Sequence, residues 1–326
     1  MPTRKVESRG KPRLWGDVRQ SLPDEKQGDR QFSESAVKRP PSALWRVHKP
    51  PVVSSASLVD DFRRTHGGNF TLKVSHGGVL DPFAEGLVLL LVGASNRLFE
   101  TLHEVPKTYV ADVRWGLETD TGDAGGREVS RGEASALSPD QLDAALIPFR
   151  GWTAQTPPAT SNKRVGGERA YQKAHRGETV VLPPQQVYLH SARWRAHELP
   201  ASSTLEVVVR GGFYVRSLAV ELGRALGVRA HLATLKRSAI GPYTDVREPV
   251  QHTGREVLPW LPSMELTDAQ WGELKNGISP QLISTAGSWA LPEGFPPPTA
   301  GVRAFHQGRL VALIRSGMPL LLPGGI

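Results

Sequence analysis

The segment from Val74 to Gly93, VSHGGVLDPFAEGLVLLLVG, constrains the fold of this chain more than any other stretch. Leu87–Ala94 is a continuous apolar run, which is typical of a core element. The run is far shorter than the about 20 residues of a transmembrane helix, so we expect no membrane span. Two glycines and a single carboxylate, Asp81, stand just before it.

A carboxylate at the edge of an apolar segment needs an explanation. Pro82 favours an extended or turn geometry for Asp81, and Gly77 and Gly78 allow a tight bend and a close approach. A partly desolvated carboxylate must pair with a cation, become protonated or serve a function. The alternative is a surface Asp-Pro turn that leads into a core element.

Composition narrows the class of protein. The 326 residues are enough for one large domain and a small one, or for two medium ones. With 39% hydrophobic and 22% charged residues, the composition is that of an ordinary soluble globular protein. The absence of cysteine excludes disulfide scaffolds and thiol catalysis. The ten histidines form no ligand-spaced cluster, so we expect neither a metal nor another cofactor.

The charge balance indicates a polyanionic partner. The net charge is +8 and the pI is about 9.9, although charge also serves solubility. Residues 1–40 contain ten Lys and Arg against six Asp and Glu. They predict a disordered basic arm, which either helps to hold RNA or is a solvated tail. The first thirty residues contain no apolar stretch of the kind found in a secretory signal peptide, so we expect a cytoplasmic protein.

Local patterns predict mixed helices and strands. Residues 107–116 and 203–213 are typical of strands. Residues 138–149 predict a helix with Ser138 as N-cap, and residues 214–227 predict an amphipathic helix closed by Gly227. Because no regular βαβ alternation is visible, the fold class is α+β.

The C-terminal part predicts a small, mostly-β module. QHTGREVLPWLPS, residues 251–263, is interpreted as a linker. Thr267 and Gln270 predict a capping box at the start of a short helix. Residues 301–317 alternate on both sides of Gln307-Gly308, which predicts a β-hairpin.

A second cluster offers Asp81 a partner. In RGGFYVRS, residues 210–217, Tyr214 and Arg216 stand two apart after flexible glycines. Residues two apart share a face of an extended segment, and a guanidinium binds a carboxylate in a fork geometry. Without further information, a helix-capping Arg and a core Tyr explain the same pattern.

Four blocks in order resemble the TruB family of tRNA pseudouridine synthases, over about residues 42–250. The blocks are SHGGVLDPFAEG (75–86), KTYVADVRWGLETDTGDAGG (107–126), QTPPATSNKRVGGERAYQKAHRG (155–177) and GGFYVRSLAVELGRALGVRAHLATLKRSAIGPY (211–243). The tail is similar to the PUA-like RNA-binding module that follows this catalytic domain. The resemblance implies a pseudouridine synthase fold, with a central mixed or antiparallel sheet flanked by helices. The implied division is an arm (1–40), a catalytic domain (41–250) and a PUA-like module (258–326).

The resemblance also implies roles for residues of the site. Asp81 falls on the catalytic aspartate, Tyr109 on the tyrosine that stacks on the target base, and Tyr214 on a tyrosine implicated in proton transfer. Arg216 falls on the arginine that pairs with the aspartate. The implied substrate-binding residues are Lys49, His76, Arg164, Leu235, Lys236 and Arg237.

Several positions depart from the family pattern. His48 stands where Asp is usual, Val79 replaces a small residue or Thr, and Glu85 replaces Thr. Arg164 stands where Lys is usual, and His175 replaces Arg. These changes spare the central group and affect the expected RNA contacts.

The implied function is conversion of a uridine in the T-loop of tRNA, position 55 by tRNA numbering, to pseudouridine. The target uridine must be flipped out, and no cofactor is needed. A monomer without an obligatory protein partner is expected. Alternatives are a non-catalytic tRNA-binding chaperone, a guide-RNA-dependent relative, and a glycosidase-like hydrolase with Glu85 as second acid.

Overall fold

The computed structural model describes residues 41–67, 72–281 and 283–326. The predicted basic arm, 1–40, therefore lies outside the described residues. Up to residue 155 the elements are β1 (Ala43–Lys49), α1 (Ser55–His66), β2 (Val74–His76), β3 (Glu85–Val92), α2 (Phe99–His103), β4 (Lys107–Trp115), β5 (Leu117–Thr119), β6 (Glu128–Arg131), α3 (Pro139–Leu146) and β7 (Gly151–Gln155). After it they are β8 (Arg164–Val165), β9 (Glu168–Arg169), α4 (Ala170–His175), β10 (Gln185–Glu198), β11 (Ser202–Val209), α5 (Val215–Ala225), β12 (Ala230–Ile240), β13 (Tyr243–Thr244), β14 (Val250–His252), β15 (Ser263–Glu265), α6 (Asp268–Lys275), β16 (Val302–His306), β17 (Arg309–Arg315) and β18 (Met318–Leu321).

One large mixed sheet organises the chain between β1 and β14. Its strand order is β14-β1-β3-β12-β4-β11-β10-β7, and β2 and β13 pair with β3 and β12. Neighbouring strands are antiparallel except for β3 and β12, which run parallel. The α+β class predicted from the sequence is confirmed. Within the described residues, no helix is both long and apolar enough to cross a bilayer.

Burial on both faces explains the apolar run of β3. Its even-numbered residues from Val88 to Val92 join a core with side chains of α1, α3 and α5. Its odd-numbered residues from Leu87 to Leu91 join a second core, which includes Phe305 and Leu310 from the C-terminal part. A strand covered on both sides needs apolar residues at every position rather than at alternate ones.

A glycine allows β3 and β12 to approach closely beside the Asp81 loop. Gly86 has a φ of +107°, and a Cβ there would lie 2.3 Å from the backbone oxygen of Arg237. No other residue type fits this position without moving one of the two strands.

The clearest local predictions are confirmed. The strand predicted at 107–116 is β4, and the strand predicted at 203–213 is β11, which ends earlier, at Val209. The helix predicted at 214–227 contains α5. The helix α3 begins after Ser138, whose hydroxyl accepts from the backbone of Gln141, and ends in a 3₁₀ turn.

The C-terminal part contains a second sheet, of strand order β15-β16-β17-β18. The capping box of Thr267 and Gln270 begins α6, and β16 and β17 form the predicted hairpin. Gln307 and Gly308 both have positive φ, as a tight two-residue hairpin turn requires. The small, mostly-β module is thus present, in keeping with a PUA-like module.

The interpretation of residues 251–263 as a linker is wrong. Their beginning pairs with β1 as part of β14. Val257 and Leu258 are fully buried in the core that the large sheet shares with the C-terminal part. The segment is not a linker because its apolar residues help to fill that core. The domain boundaries given above therefore remain a prediction.

Candidate active site

Asp81 lies on the loop between β2 and β3, and buried side chains hold this loop by its carbonyl groups. Arg237, which is 1% exposed, donates from Nη2 to Gly78 O at 3.2 Å and from Nη1 to Val79 O at 3.1 Å. Its Nε donates to Leu87 O at 2.7 Å. One guanidinium therefore ties the loop to the start of β3.

Two further side chains hold the loop on either side of Asp81. The ammonium of Lys49, which is fully buried, donates to Pro82 O at 3.1 Å and to two carbonyls of the turn after β1. Burial lowers the pKa of Lys49 to about 8, although Asp81 opposes the shift. The hydroxyl of Ser55 donates to the backbone oxygen of Leu80 and accepts from its N–H, both at 3.0 Å. The backbone around Asp81 is thus fixed before any ligand binds.

Arg216, in the first turn of α5, binds Asp81 in a bidentate pair. Its Nε donates to Oδ2 at 2.8 Å and its Nη2 to Oδ1 at 3.0 Å. The Arg216 side chain is 4% exposed, whereas the Asp81 side chain is 28% exposed. The pair predicted from the sequence therefore forms, and the carboxylate keeps an open side toward a ligand.

The second terminal nitrogen of Arg216 is also held. Nη1 donates to Thr121 O at 2.8 Å and to the Thr160 hydroxyl at 2.7 Å, and it lies 3.6 Å from Asp123 Oδ2. Four hydrogen bonds in total fix the plane of the guanidinium, and with it the plane of the carboxylate that it binds.

A cavity of about 260 Å³ opens beside this pair. Tyr109 of β4, Leu235 of β12 and Tyr214 at the start of α5 contribute to its walls. Asp81 is the one carboxylate that lines it within the described residues. In the same part of the chain, no group of three or more His, Asp and Glu side chains is placed to hold a metal ion.

The phenol of Tyr214 keeps its proton at neutral pH. Burial is the main cause that raises its pKa, and Asp81 adds to the effect. The hydroxyl of Ser161 and the guanidinium of Arg216 act in the opposite direction. In this state the phenol can donate a hydrogen bond to a ligand or pass on a proton.

Two residues that line the cavity, Lys107 and His103, were not among the site residues predicted from the sequence. Lys107 donates to Leu102 O and His103 O at 3.2 and 3.1 Å, at the end of α2. Burial, followed by Arg237, lowers the pKa of Lys107 to about 7. Burial, followed by Lys107, lowers the pKa of His103 to about 4, so its imidazole is neutral. The only signal for Lys107 was its position two residues before Tyr109.

Comparison with known proteins decides the family. Residues 64–215 match the family model described as TruB family pseudouridylate synthase (N terminal domain). A tRNA pseudouridine synthase B from Rhodopirellula baltica is 33% identical in an alignment of 279 positions that covers 78% of this chain and 80% of that protein. One from Cupriavidus metallidurans is 33% identical in an alignment of 318 positions that covers 90% of this chain and 98% of that protein. The chain belongs to the TruB family. It is accordingly a pseudouridine synthase, an isomerase, as the resemblance implied.

Solved structures agree with the TruB-family fold. A Cbf5-Nop10-Gar1 complex contains a chain that matches with a TM-score of 0.58 at 19% identity, covering 84% of this chain and 78% of that one. The archaeal box H/ACA sRNP Nop10-Cbf5 complex gives a TM-score of 0.55 at 19% identity, covering 85% and 80%. The predicted pseudouridine synthase fold is confirmed.

The structure divides the residues predicted from the TruB pattern into two groups. The cavity brings together Asp81, Tyr109, Tyr214, Arg216, Leu235 and Arg237. The side chains of Lys49, His76, Arg164 and Lys236 do not line it. Catalytic and RNA-binding roles remain predictions for both groups.

Three of the residues outside the cavity are partly or fully exposed. His76, on β2, has a buried Nδ1 with no hydrogen-bond partner among the described residues, and burial, followed by Arg237, lowers its pKa. Arg164 is exposed on the short hairpin of β8 and β9. The Lys236 side chain is 45% exposed. Lys49 differs, because its ammonium is enclosed by carbonyl groups and serves the Asp81 loop.

Two departures from the TruB pattern meet in one polar cluster outside the cavity. His48 Nδ1 lies 3.0 Å from both carboxylate oxygens of Asp245. Lys236 Nζ lies 3.4 Å from Asp245 and 4.0 Å from Glu85. The carboxylate of Glu85 therefore faces the ammonium of Lys236 and does not line the cavity. In this position it cannot serve as the second catalytic acid of a hydrolase that uses Asp81.

A cavity on the other side of Arg216 is lined by a half-buried carboxyl, that of Glu221, whose titration can be measured. Burial raises the pKa of Glu221 to about 7, although Arg224 and Gln155 oppose the shift. The folded state thus keeps this proton up to about pH 7, whereas the unfolded chain loses it near pH 4.5. Stability from this group is present below pH 4.5 and is lost as pH rises through 7.

We expect Glu221→Gln to stabilise the protein at pH 8 by about 1–3 kcal/mol, because the amide mimics the protonated acid. The difference from wild type should shrink toward zero at pH 4.5. Urea unfolding at the two pH values measures it, with Glu273→Gln at an exposed position of α6 as control. An equal effect of Glu221→Gln at both pH values would show that burial does not shift this group.

Proposed function

We propose that this chain converts a uridine of tRNA to pseudouridine and that the target is the T-loop uridine, position 55 by tRNA numbering. The observation that carries the proposal is the Asp81–Arg216 pair, which opens on a cavity with tyrosines on its walls. Relatives at 33% identity are named tRNA pseudouridine synthase B. The net charge of +8 suits a phosphate-rich substrate.

In this proposal Asp81 acts on the ribose of the flipped uridine. Its carboxylate adds to C1′ as a nucleophile or removes the C2′ proton, and in both routes the N1–C1′ bond breaks. The freed uracil turns and C5 bonds to C1′; this step releases Asp81 from C1′ in the first route, and in the second route Asp81 returns the proton to C2′. C5 then loses its proton and N1 gains one. No electron donor or acceptor is consumed. Arg216 holds the charge and direction of the carboxylate through these steps.

The cavity walls supply the remaining tasks. Tyr109 would stack on the uracil while it is detached, a contact that is worth about 1–3 kcal/mol for each base. Tyr214 carries its proton, so it would donate to the base and relay the proton that C5 releases. Flipping the uridine into the cavity costs a few kcal/mol, which phosphate contacts elsewhere on the basic surface would offset.

We infer that the chain acts alone, as a cytoplasmic monomer, on tRNA. The structural neighbours named above are complexes of Cbf5 with Nop10, or with Nop10 and Gar1. The higher identity to proteins named tRNA pseudouridine synthase B favours action without such partners for this chain.

The test is the reaction of purified protein with an unmodified tRNA transcript. Pseudouridine is mapped by chemical labelling and primer extension, and a transcript with cytidine at the T-loop position is the matched control. We expect one stop, at the T-loop uridine, in the first transcript only. Binding of tRNA without any stop would contradict a stand-alone synthase and favour a chaperone or a guide-dependent relative.

A further inference from the structure

The segment from Gln155 to Ser161 packs against the junction that carries Tyr214 and Arg216. Gln155 ends β7 and is 2% exposed. Its Oε1 accepts from the backbone N–H of Tyr214 at 2.8 Å, and its Nε2 donates to Tyr214 O at 3.1 Å. A single side-chain amide thus binds both backbone polar groups of one residue.

This junction lacks the local features that normally fix the start of a helix. Tyr214 occupies the N-cap position of α5, with φ −111° and ψ 108°, and its side chain makes no capping hydrogen bond. Ser, Thr, Asp or Asn usually fills that position and fixes the first turn. Gly211 and Gly212 precede it, and Gly212 has a φ of +94°. Because glycine is the most flexible residue, local sequence does not set the direction of Tyr214.

A second glutamine holds the other end of the turn. Gln185 lies directly opposite Gln155 in the pairing of β7 with β10. Its Nε2 donates to Gly212 O at 2.8 Å. The two cross-strand glutamines therefore tie the backbone of Gly212 and Tyr214 to the paired strands β7 and β10.

The same segment orients Arg216. The hydroxyl of Thr160 accepts from Arg216 Nη1 at 2.7 Å. The backbone oxygen of Thr156 accepts from the Ser217 hydroxyl at 2.9 Å. Contacts from one short segment thus reach Tyr214, Arg216 and Ser217, although about sixty residues of chain separate the two regions.

We propose that Gln155, Gln185 and Thr160 are positioning residues, which set Tyr214 and Arg216 against Asp81. None of the three lines the cavity, so they act through the residues that they hold. The inference rests on the proposed function, because it assigns roles within that reaction. A displacement of a reacting group by about 1 Å can lower a rate by about 100-fold, so small shifts of these supports should be measurable.

The experiment compares Gln155→Met, Thr160→Val and Thr160→Ser with wild type on the tRNA transcript. Met and Val keep approximate volume and remove the hydrogen bonds, whereas Ser keeps the hydroxyl. We expect Gln155→Met and Thr160→Val to lower the single-turnover rate by about 10- to 100-fold. The dissociation constant for tRNA should stay near that of wild type, and Thr160→Ser should restore most of the rate. Gln186→Met, at an exposed position of β10 beside Gln185, is the control.

Wild-type rates in both Gln155→Met and Thr160→Val would overturn the inference, and so would a Thr160→Ser rate as low as that of Thr160→Val. If Gln155→Met fails to fold, the two Thr160 variants decide alone. Failure of the proposed function gives a different result, since wild type itself would then form no pseudouridine.

Discussion

Asparagine in place of Asp81 is expected to lower the rate of pseudouridine formation by roughly 10⁴-fold or more. The amide has nearly the shape of the carboxylate and can still accept a hydrogen bond from Arg216. It cannot attack C1′ or remove a proton, so the chemical step stops. Affinity for tRNA should persist, because phosphate contacts far from the cavity dominate it. Single-turnover kinetics and filter binding on the same transcript separate the two quantities.

Asp81→Ala is the companion variant, because it also removes the acceptor of Arg216. Arg216 is 3% exposed, and Asp123 at 3.6 Å would remain as its nearest carboxylate. We expect a loss of about 1–3 kcal/mol in the free energy of unfolding, below the value for a fully buried pair because Asp81 is 28% exposed. Asp81→Asn should lose less. If Asp81→Asn forms pseudouridine at the wild-type rate, Asp81 is not a catalytic residue.

The elements that could be predicted from local sequence are those whose ends are set by contacts between residues close together in the chain. The capping pairs Ser138–Gln141 and Thr267–Gln270 mark helix starts, because side chain and backbone meet within four residues. The hairpin at Gln307-Gly308 is equally local. For residues 251–263 the prediction of a linker was wrong, because contacts with residues far away in the sequence decide where Val257 and Leu258 lie.

The candidate site could be predicted only in part for the same physical reason. Asp81 and Arg216 were paired because a carboxylate in an apolar segment needs a cation, a rule that holds across 135 residues of separation. Gln155 gave no such signal. A glutamine at the end of a strand is usually solvated, and its importance comes from Tyr214 on a remote turn. A substrate-binding role for Lys49 stays a prediction. The carbonyl groups that its ammonium contacts could not be predicted, because only the fold determines their positions.

Arg237→Lys is expected to lower both stability and rate, although it conserves charge. The guanidinium of Arg237 reaches three carbonyls in a fork geometry, and a lysine ammonium cannot reproduce that fork. Each loop carbonyl that loses its donor, at Gly78 or Val79, should cost about 1–3 kcal/mol. The Asp81 loop would then be less well fixed, so the single-turnover rate should fall at least about tenfold. Thermal unfolding and transcript kinetics measure the two effects.

Lys236→Met provides the matched control, because Lys236 is the neighbour of Arg237 on β12 and was also predicted to bind substrate. Its side chain is 45% exposed and holds no loop carbonyl in the described residues. If Lys236 contacts a phosphate, its loss should weaken tRNA binding and lower the slope of log K against log salt concentration by about one. The unfolding temperature should not fall. The reverse pattern for Arg237→Lys, with stability lost and affinity kept, would establish it as a support of the Asp81 loop. Wild-type stability and rate in Arg237→Lys would show that charge alone is needed there, as direct RNA binding requires.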